Sequence, residues 1–244
     1  MKPKILIKHK FYPRDIIISA SDISTRKTNI ELENSIEQTW NQIFEKAKLE
    51  GKKIWNSKIY RVNNYKFDDE KLFLELGPSD FKNGLVFKMI PFFETLSLDC
   101  YPLNMFCLAN VKTLDEKYVF GFSDKTIQYS NILGIGGVFS KDELLVNNSE
   151  DLFENMYKEL KEEINVTKSM ISEIVISGLL ISEGANIGLI FNVDLNVTSL
   201  ELQKNFEIEN DGELERLIFV EQEKYKDYMQ NLAPGHKSLL WEFL

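Results

Sequence analysis

The stretch SEDLFENMYKELKEEI, residues 149–164, constrains the fold more than any other part of the chain. Leu152, Met156, Leu160 and Ile164 recur every four residues, which on a helix gathers them into one apolar stripe. Such a stripe has to be covered, so this helix lies against a sheet or another helix. Ser149 or Asp151 is placed to cap its first turn. Beside the stripe stand Glu159, Glu162 and Glu163, with Lys158 and Lys161 among them. Carboxylates three and four residues apart are surface neighbours, and each such pair costs about 0.2–0.5 kcal/mol. A cation placed at that edge would be flanked by the body of the domain, and a hard divalent cation takes oxygen ligands. In an acidic chain the same pattern also suits a solvated helix face, with Glu154 and Lys158 an ordinary supporting pair.

The surroundings supply the sheet. NIGLIFNVDL alternates cleanly at Ile187, Leu189, Phe191, Val193 and Leu195, and EIVISGLLIS and RLIFV have the same strand character. MFCLANVKT and KYVFGFS form a strand pair, and ILGIGGVF is apolar with three glycines. A closing helix from Glu221 buries Tyr225, Tyr228, Met229 and Leu232. Further upstream, KILI and DIIIS read as short strands. Ile36, Trp40, Ile43, Phe44 and Ala47 make 34–49 an amphipathic helix, with Asn34 and Glu37 as a capping box and Gly51 as its stop. SKIYRVNNYKF and KLFLELG form a hairpin turning at Asp68-Asp69. PFFETLSLDCYPLN, 91–104, has no period and connects the two units. The expected organisation is a smaller N-terminal α+β domain over 1–95 and an α/β domain over 105–244, with no internal repeat.

Charge and cysteine content narrow the function. The 244 residues carry a formal net charge of −9 and no basic stripe, which disfavours nucleic acid as a partner. A small anionic substrate remains compatible if a divalent ion reverses the local sign of charge. No apolar run approaches the roughly 18–20 residues of a membrane span, and ILI near the N-terminus is too short for a signal peptide. A cytoplasmic protein without a membrane partner is expected. Cys100 and Cys107 make no disulfide framework, and with His9 and His236 at opposite ends zinc chemistry is not expected.

Together, Glu150 and the run Lys158-Glu159-Leu160-Lys161-Glu162-Glu163-Ile164-Asn165-Val166 resemble the second half of the Nudix box, G-x5-E-x7-R-E-U-x-E-E-x-G-U, where U is a bulky aliphatic residue. The resemblance implies a Nudix α/β/α sandwich over about 105–244. It also implies that Glu159, Glu162 and Glu163 hold Mg2+ or Mn2+, helped by a carbonyl of the Gly136-Gly137 loop. Three departures stand out. Lys158 replaces the arginine and loses its planar fork. Asn165 replaces the glycine after the acids, a residue that tolerates left-handed backbone. Gly137 lies thirteen positions before Glu150, so 138–149 contains an insertion and Leu144 occupies the glycine's place. IWNSKIYRV and LGPSDFK, with Trp40 ahead of them, are similar to the leading domain of a subgroup that includes a UDP-glucose and UDP-galactose pyrophosphatase.

What the resemblance implies is a metal-dependent pyrophosphohydrolase acting on a nucleoside diphosphate linked to another group, giving UMP and a sugar 1-phosphate in the preferred case. Glu163 is expected as ligand or base, Glu159 as ligand, and Lys158 as the residue that orients Glu159. Glu213 and Glu215 are alternative bases. Two other readings stay open: a Nudix-fold nucleotide-binding module without turnover, and a hydrolase of ADP-ribose-type substrates. The oligomeric state is also open, with a homodimer through the apolar MIPFFETLSL among the options.

Overall fold

The computed structural model describes residues 2–52, 54–124, 132–209, 212, 214–232 and 236–244. In chain order the elements are β1 (Lys4–Phe11), β2 (Ile16–Ala20), α1 (Ile30–Leu49), β3 (Lys58–Asp68), β4 (Lys71–Asp80) and α2 (Phe81–Val86). They continue with β5 (Met105–Lys112), β6 (Lys117–Phe122), β7 (Ile132–Leu133), α3 (Ser149–Ile164), β8 (Ile171–Ile181) and β9 (Ile187–Leu195). The chain closes with α4 (Ser199–Ile208), β10 (Arg216–Glu221), α5 (Gln222–Leu232) and 3-10 turns over His236–Phe243.

The large sheet runs β1-β8-β9-β5-β6-β10, with β7 paired to β6. Within this sheet, among the described residues, β5 and β9 are the one parallel pair, from Met105 opposite Ile187 to Lys112 opposite Asp194. Both strands are covered on two faces, which is why their sequences are nearly continuous apolar runs. Met105, Cys107, Ala109 and Val111, with the alternating set of β9, face α3 and α4. Leu108, Leu180 and Ile190 face the other way, against Tyr225 and Met229 of α5 and Leu240 and Phe243 of the closing turns. The sheet is therefore the middle of three layers. A second sheet, β2-β4-β3, contributes Leu72, Leu74 and Leu76 to the same core as α3. α1 packs Leu32, Ile36 and Trp40 on Val86, Phe87 and Tyr101 in a cluster of its own.

Several expectations need correction. β1 is not part of the N-terminal sheet: it lies antiparallel to β8 in the large sheet, with Lys4 opposite Ile181 and Phe11 opposite Ile176. α1 begins at Asn29 rather than Asn34, because Asn29 is extended and its side chain accepts from the Leu32 N–H at 2.8 Å, which draws buried Leu32 into the stripe. Its end is as read: Gly51 adopts φ +69°, and the Gly51 and Lys52 N–H groups return to Lys48 and Ala47 carbonyls. α3 is capped by Asn148, not Ser149 or Asp151; Asp151 instead returns a carboxylate to the Asn148 N–H at 3.0 Å. Glu154 pairs with Lys168 at 2.6 Å and not with Lys158. The hairpin turns at Asp69 and Glu70, both with positive φ, one residue later than expected. α4 is an element the pattern reading passed over, although Thr198 and Glu201 form its capping box. The 91–104 connection contains 3-10 turns at Phe93–Thr95 and Leu98–Cys100.

Among the described residues no helix is long and apolar enough to cross a membrane. Both cysteines are unpaired thiols.

A polar clasp fixes the closing turns to the sheet. Asn110 on β5 donates to the Asn192 side chain at 2.9 Å and to the Leu240 carbonyl at 3.1 Å, while Asn192 donates to the Phe243 carbonyl at 2.9 Å. The buried Tyr225 hydroxyl donates to Asn110 Oδ1. Tyr225→Phe leaves that oxygen buried and short of its donor, so we expect it to lower unfolding free energy by about 1–3 kcal/mol in urea titrations.

Candidate functional site

The acids of α3 are placed by the stripe beside them. With Leu152, Met156, Leu160 and Ile164 buried against the sheet, helical geometry sets Glu159 and Glu163 one turn apart at the stripe's edge. The segment 135–138 runs antiparallel to β5 there, bridging Ile135 to Ala109 and Val138 to Phe106. Gly136 and Gly137 lie between those bridges and meet the two acids.

Glu163 is only 7% exposed, and its Oε2 accepts from the Gly136 N–H at 2.7 Å. Gly136 has φ +140°, and a Cβ there would lie 2.3 Å from the Cys107 carbonyl oxygen, so only glycine fits. Glu159 stands against the next residue: a Cβ on Gly137 would be 2.6 Å from its Oε1. Below both carboxylates sits the buried Cys107 thiol, which points to the Gly137 carbonyl at 3.6 Å and receives an Asn155 N–H at 3.4 Å. Burial, then the charges of Glu159 and Glu163, push that thiol well above the usual range, so it is an inert wall of the site.

The expected site residues are distributed unevenly. Glu159 and Glu163 come together at the glycine turn. Glu162 is exposed and paired with Lys158 at 3.3 Å. Lys158 pairs with Glu143 of the inserted loop and with Glu162. Burial works against its charge, yet the Glu143 hydrogen bond and the Glu159, Glu143 and Glu162 charges outweigh that and raise its pKa. The Gly137 carbonyl accepts from the Cys107 N–H at 2.8 Å and so belongs to the bridge with β5. Among the described residues no three His, Cys, Asp or Glu side chains are gathered into a ready metal cluster. Glu150 is nine residues before Glu159, half a revolution away, and lines a shallow groove with Pro13, Phe153 and Tyr157. Glu215 accepts from the Asp124 N–H at 3.3 Å at the end of β6, and Glu213 lies outside the described residues. Asn165 adopts φ 53° and ψ 38° at the end of α3, the left-handed conformation a glycine would take.

Three participants escaped the pattern reading. Cys107 was visible only as a thiol, and Asn155 only as an amide one turn before Glu159. Glu143 lies within the insertion, which is pinned to β3 where Lys58 N–H donates to Asp142 at 3.0 Å and Val146 N–H to the Tyr60 hydroxyl at 3.0 Å.

Gly136→Ala forces a strained φ and a backbone clash, so we expect a loss of at least about 1–3 kcal/mol in denaturant unfolding. Gly137→Ala meets only the end of a flexible carboxylate, and its loss should stay within about 1 kcal/mol.

No protein-family model matches the chain. No curated protein matches it. Among solved structures it is similar to Tm1382, a candidate Nudix hydrolase, with TM-score 0.40 and 16% identity over 57% of this chain and 67% of that one. It is also similar to a Nudix hydrolase from Nitrosomonas europaea, with TM-score 0.39 and 12% identity over 57% of this chain and 84% of that one.

Proposed function

We propose that the protein is a metal-dependent pyrophosphohydrolase of the Nudix type, cleaving a nucleoside diphosphate linked to another moiety. UDP-sugars, giving UMP and a sugar 1-phosphate, are the preferred substrates. The observation that carries this reading is the Glu159–Glu163 pair: two carboxylates one turn apart, one of them nearly out of water, both set against the same glycine turn. Two acids so placed repel, and a doubly charged ion offsets both.

The donor set suits Mg2+ or Mn2+, which prefer carboxylate oxygens. Glu159 and Glu163 would hold the ion, with Glu162 the third candidate once its pair with Lys158 opens. Bound there, the ion would neutralise diphosphate charge and lower the pKa of a water. The chain's own part is positional. Gly136 fixes Glu163 through Oε2, which orients that carboxylate to serve as ligand or, in its place, as the base that takes the proton of the attacking water. Lys158, held by Glu143, sets Glu162 at the rim. One water is added across the anhydride, the P–O bond breaks, and each product leaves with a phosphate.

A second reading, nucleotide binding without turnover, draws support from the departures from the box: Lys158 for arginine, Asn165 for glycine and the insertion over 138–149. A panel of UDP-glucose, UDP-galactose, ADP-ribose, dinucleoside polyphosphates and FAD, each with and without Mg2+, separates the two. Metal-dependent release of a monophosphate, greatest with a UDP-sugar, is expected. Saturable binding with no release from any compound selects the second reading. Glu163→Gln should lower kcat by about 100-fold or more while the protein still folds; hydrolysis at the wild-type rate would remove Glu163 from the mechanism.

A further inference from the structure

The inserted segment 138–149 is built against its surroundings at both ends. The Phe139 carbonyl accepts from the Tyr60 N–H at 3.0 Å, and the Lys141 N–H donates to the Lys58 carbonyl at 2.8 Å. Ser140 bridges Ile59 of β3, and the Leu144 N–H returns to the Ser140 carbonyl at 3.0 Å. Phe139 and Val146 are each buried in the core that α3 packs on. Between these two anchors the chain turns over 141–143, and Glu143 stands on that turn.

The turn delivers Glu143 to Lys158 on α3, and Lys158 also meets Glu162 one helical turn on at 3.3 Å. One ammonium is thus shared between an acid of the insertion and an acid of the helix. The Glu143 and Glu162 side chains are both about half exposed, and ion pairs this wet add little to folding stability. Their weight falls on Glu162 instead. A lysine four residues ahead of a glutamate neutralises it, and a carboxylate engaged in that way is less able to turn to another cation. With Glu143 already seated on Lys158, the ammonium keeps a counter-charge when it releases Glu162. Lys158 also cancels one of the negative charges that Glu159, Glu162 and Glu163 offer a dication, and Glu143 restores it.

We infer that Glu143 is a positioning residue for the divalent ion: by holding Lys158 it frees Glu162 to join Glu159 and Glu163, so that the insertion sets how much Mg2+ or Mn2+ the site requires. This rests on the metal-dependent reading proposed above and adds to it a role for a segment that the box pattern does not contain. Glu143 touches neither substrate nor ion in this scheme; it acts through Lys158.

Thermal unfolding against Mn2+ concentration, without substrate and at constant ionic strength, tests this, because an ion that binds only the folded state raises Tm. The wild type should show a saturable rise that Glu163→Gln blunts; no rise in the wild type removes the metal reading and this inference together. Glu143→Gln should unfold at the wild-type temperature in EDTA, yet need about fivefold more Mn2+ for half of the rise. In a Lys158→Met background, adding Glu143→Gln should leave the requirement where Lys158→Met alone puts it, since the two residues act as one unit. An unchanged requirement in Glu143→Gln, with Glu163→Gln still blunted, overturns the inference and leaves the metal reading standing. So does a further fivefold rise in the Lys158→Met background, which would mark a direct effect of the Glu143 charge on the ion.

Discussion

Glu163 accepts from the Gly136 N–H from a position almost out of water, and that hydrogen bond ties the acidic helix to the glycine turn, which the bridges at Ile135 and Val138 tie to the sheet. A carboxylate in such a place is tolerable only when a donor is fixed to meet it. The donor is fixed because Gly136 takes a backbone conformation that brings it against the Cys107 carbonyl, where no side chain fits. The stripe of α3 orients the acid from one side, and the bridges at Ile135 and Val138 hold the donor from the other. Everything proposed for the site depends on these two supports meeting at one residue.

The parts of the fold written in local periodicity were legible. The stripe of α3, the alternation of β9 and the β3–β4 pairing all follow from spacing that the chain repeats within a few residues. Caps were read less well, because several polar residues in succession can serve and tertiary packing chooses among them; Asn29 wins over Asn34 once Leu32 is needed inside. The sheet membership of β1 was out of reach, since its partner lies far along the chain and nothing in KILI specifies which sheet it joins.

The candidate site divides along the same line. That Glu159 and Glu163 share a helix edge is a matter of spacing and was read directly. That Glu150 faces the opposite side of α3 is also a matter of spacing, nine residues before Glu159. The register of the family resemblance pairs Lys158 with Glu159, and it carries no sign of Glu143, which the insertion delivers to Lys158.

The place of β1 has a further meaning for how the chain reaches this state. β1 is antiparallel to Ile171–Ile181, which follows it far along the chain. It must wait unpaired while the intervening chain is made, and pairing over such separation is slow to nucleate. Waiting strands invite pairing with other chains, and lysines on such a strand discourage it. Lys4, Lys8 and Lys10 are distributed along β1. They suit a strand that has to stay soluble and solitary until its neighbour arrives.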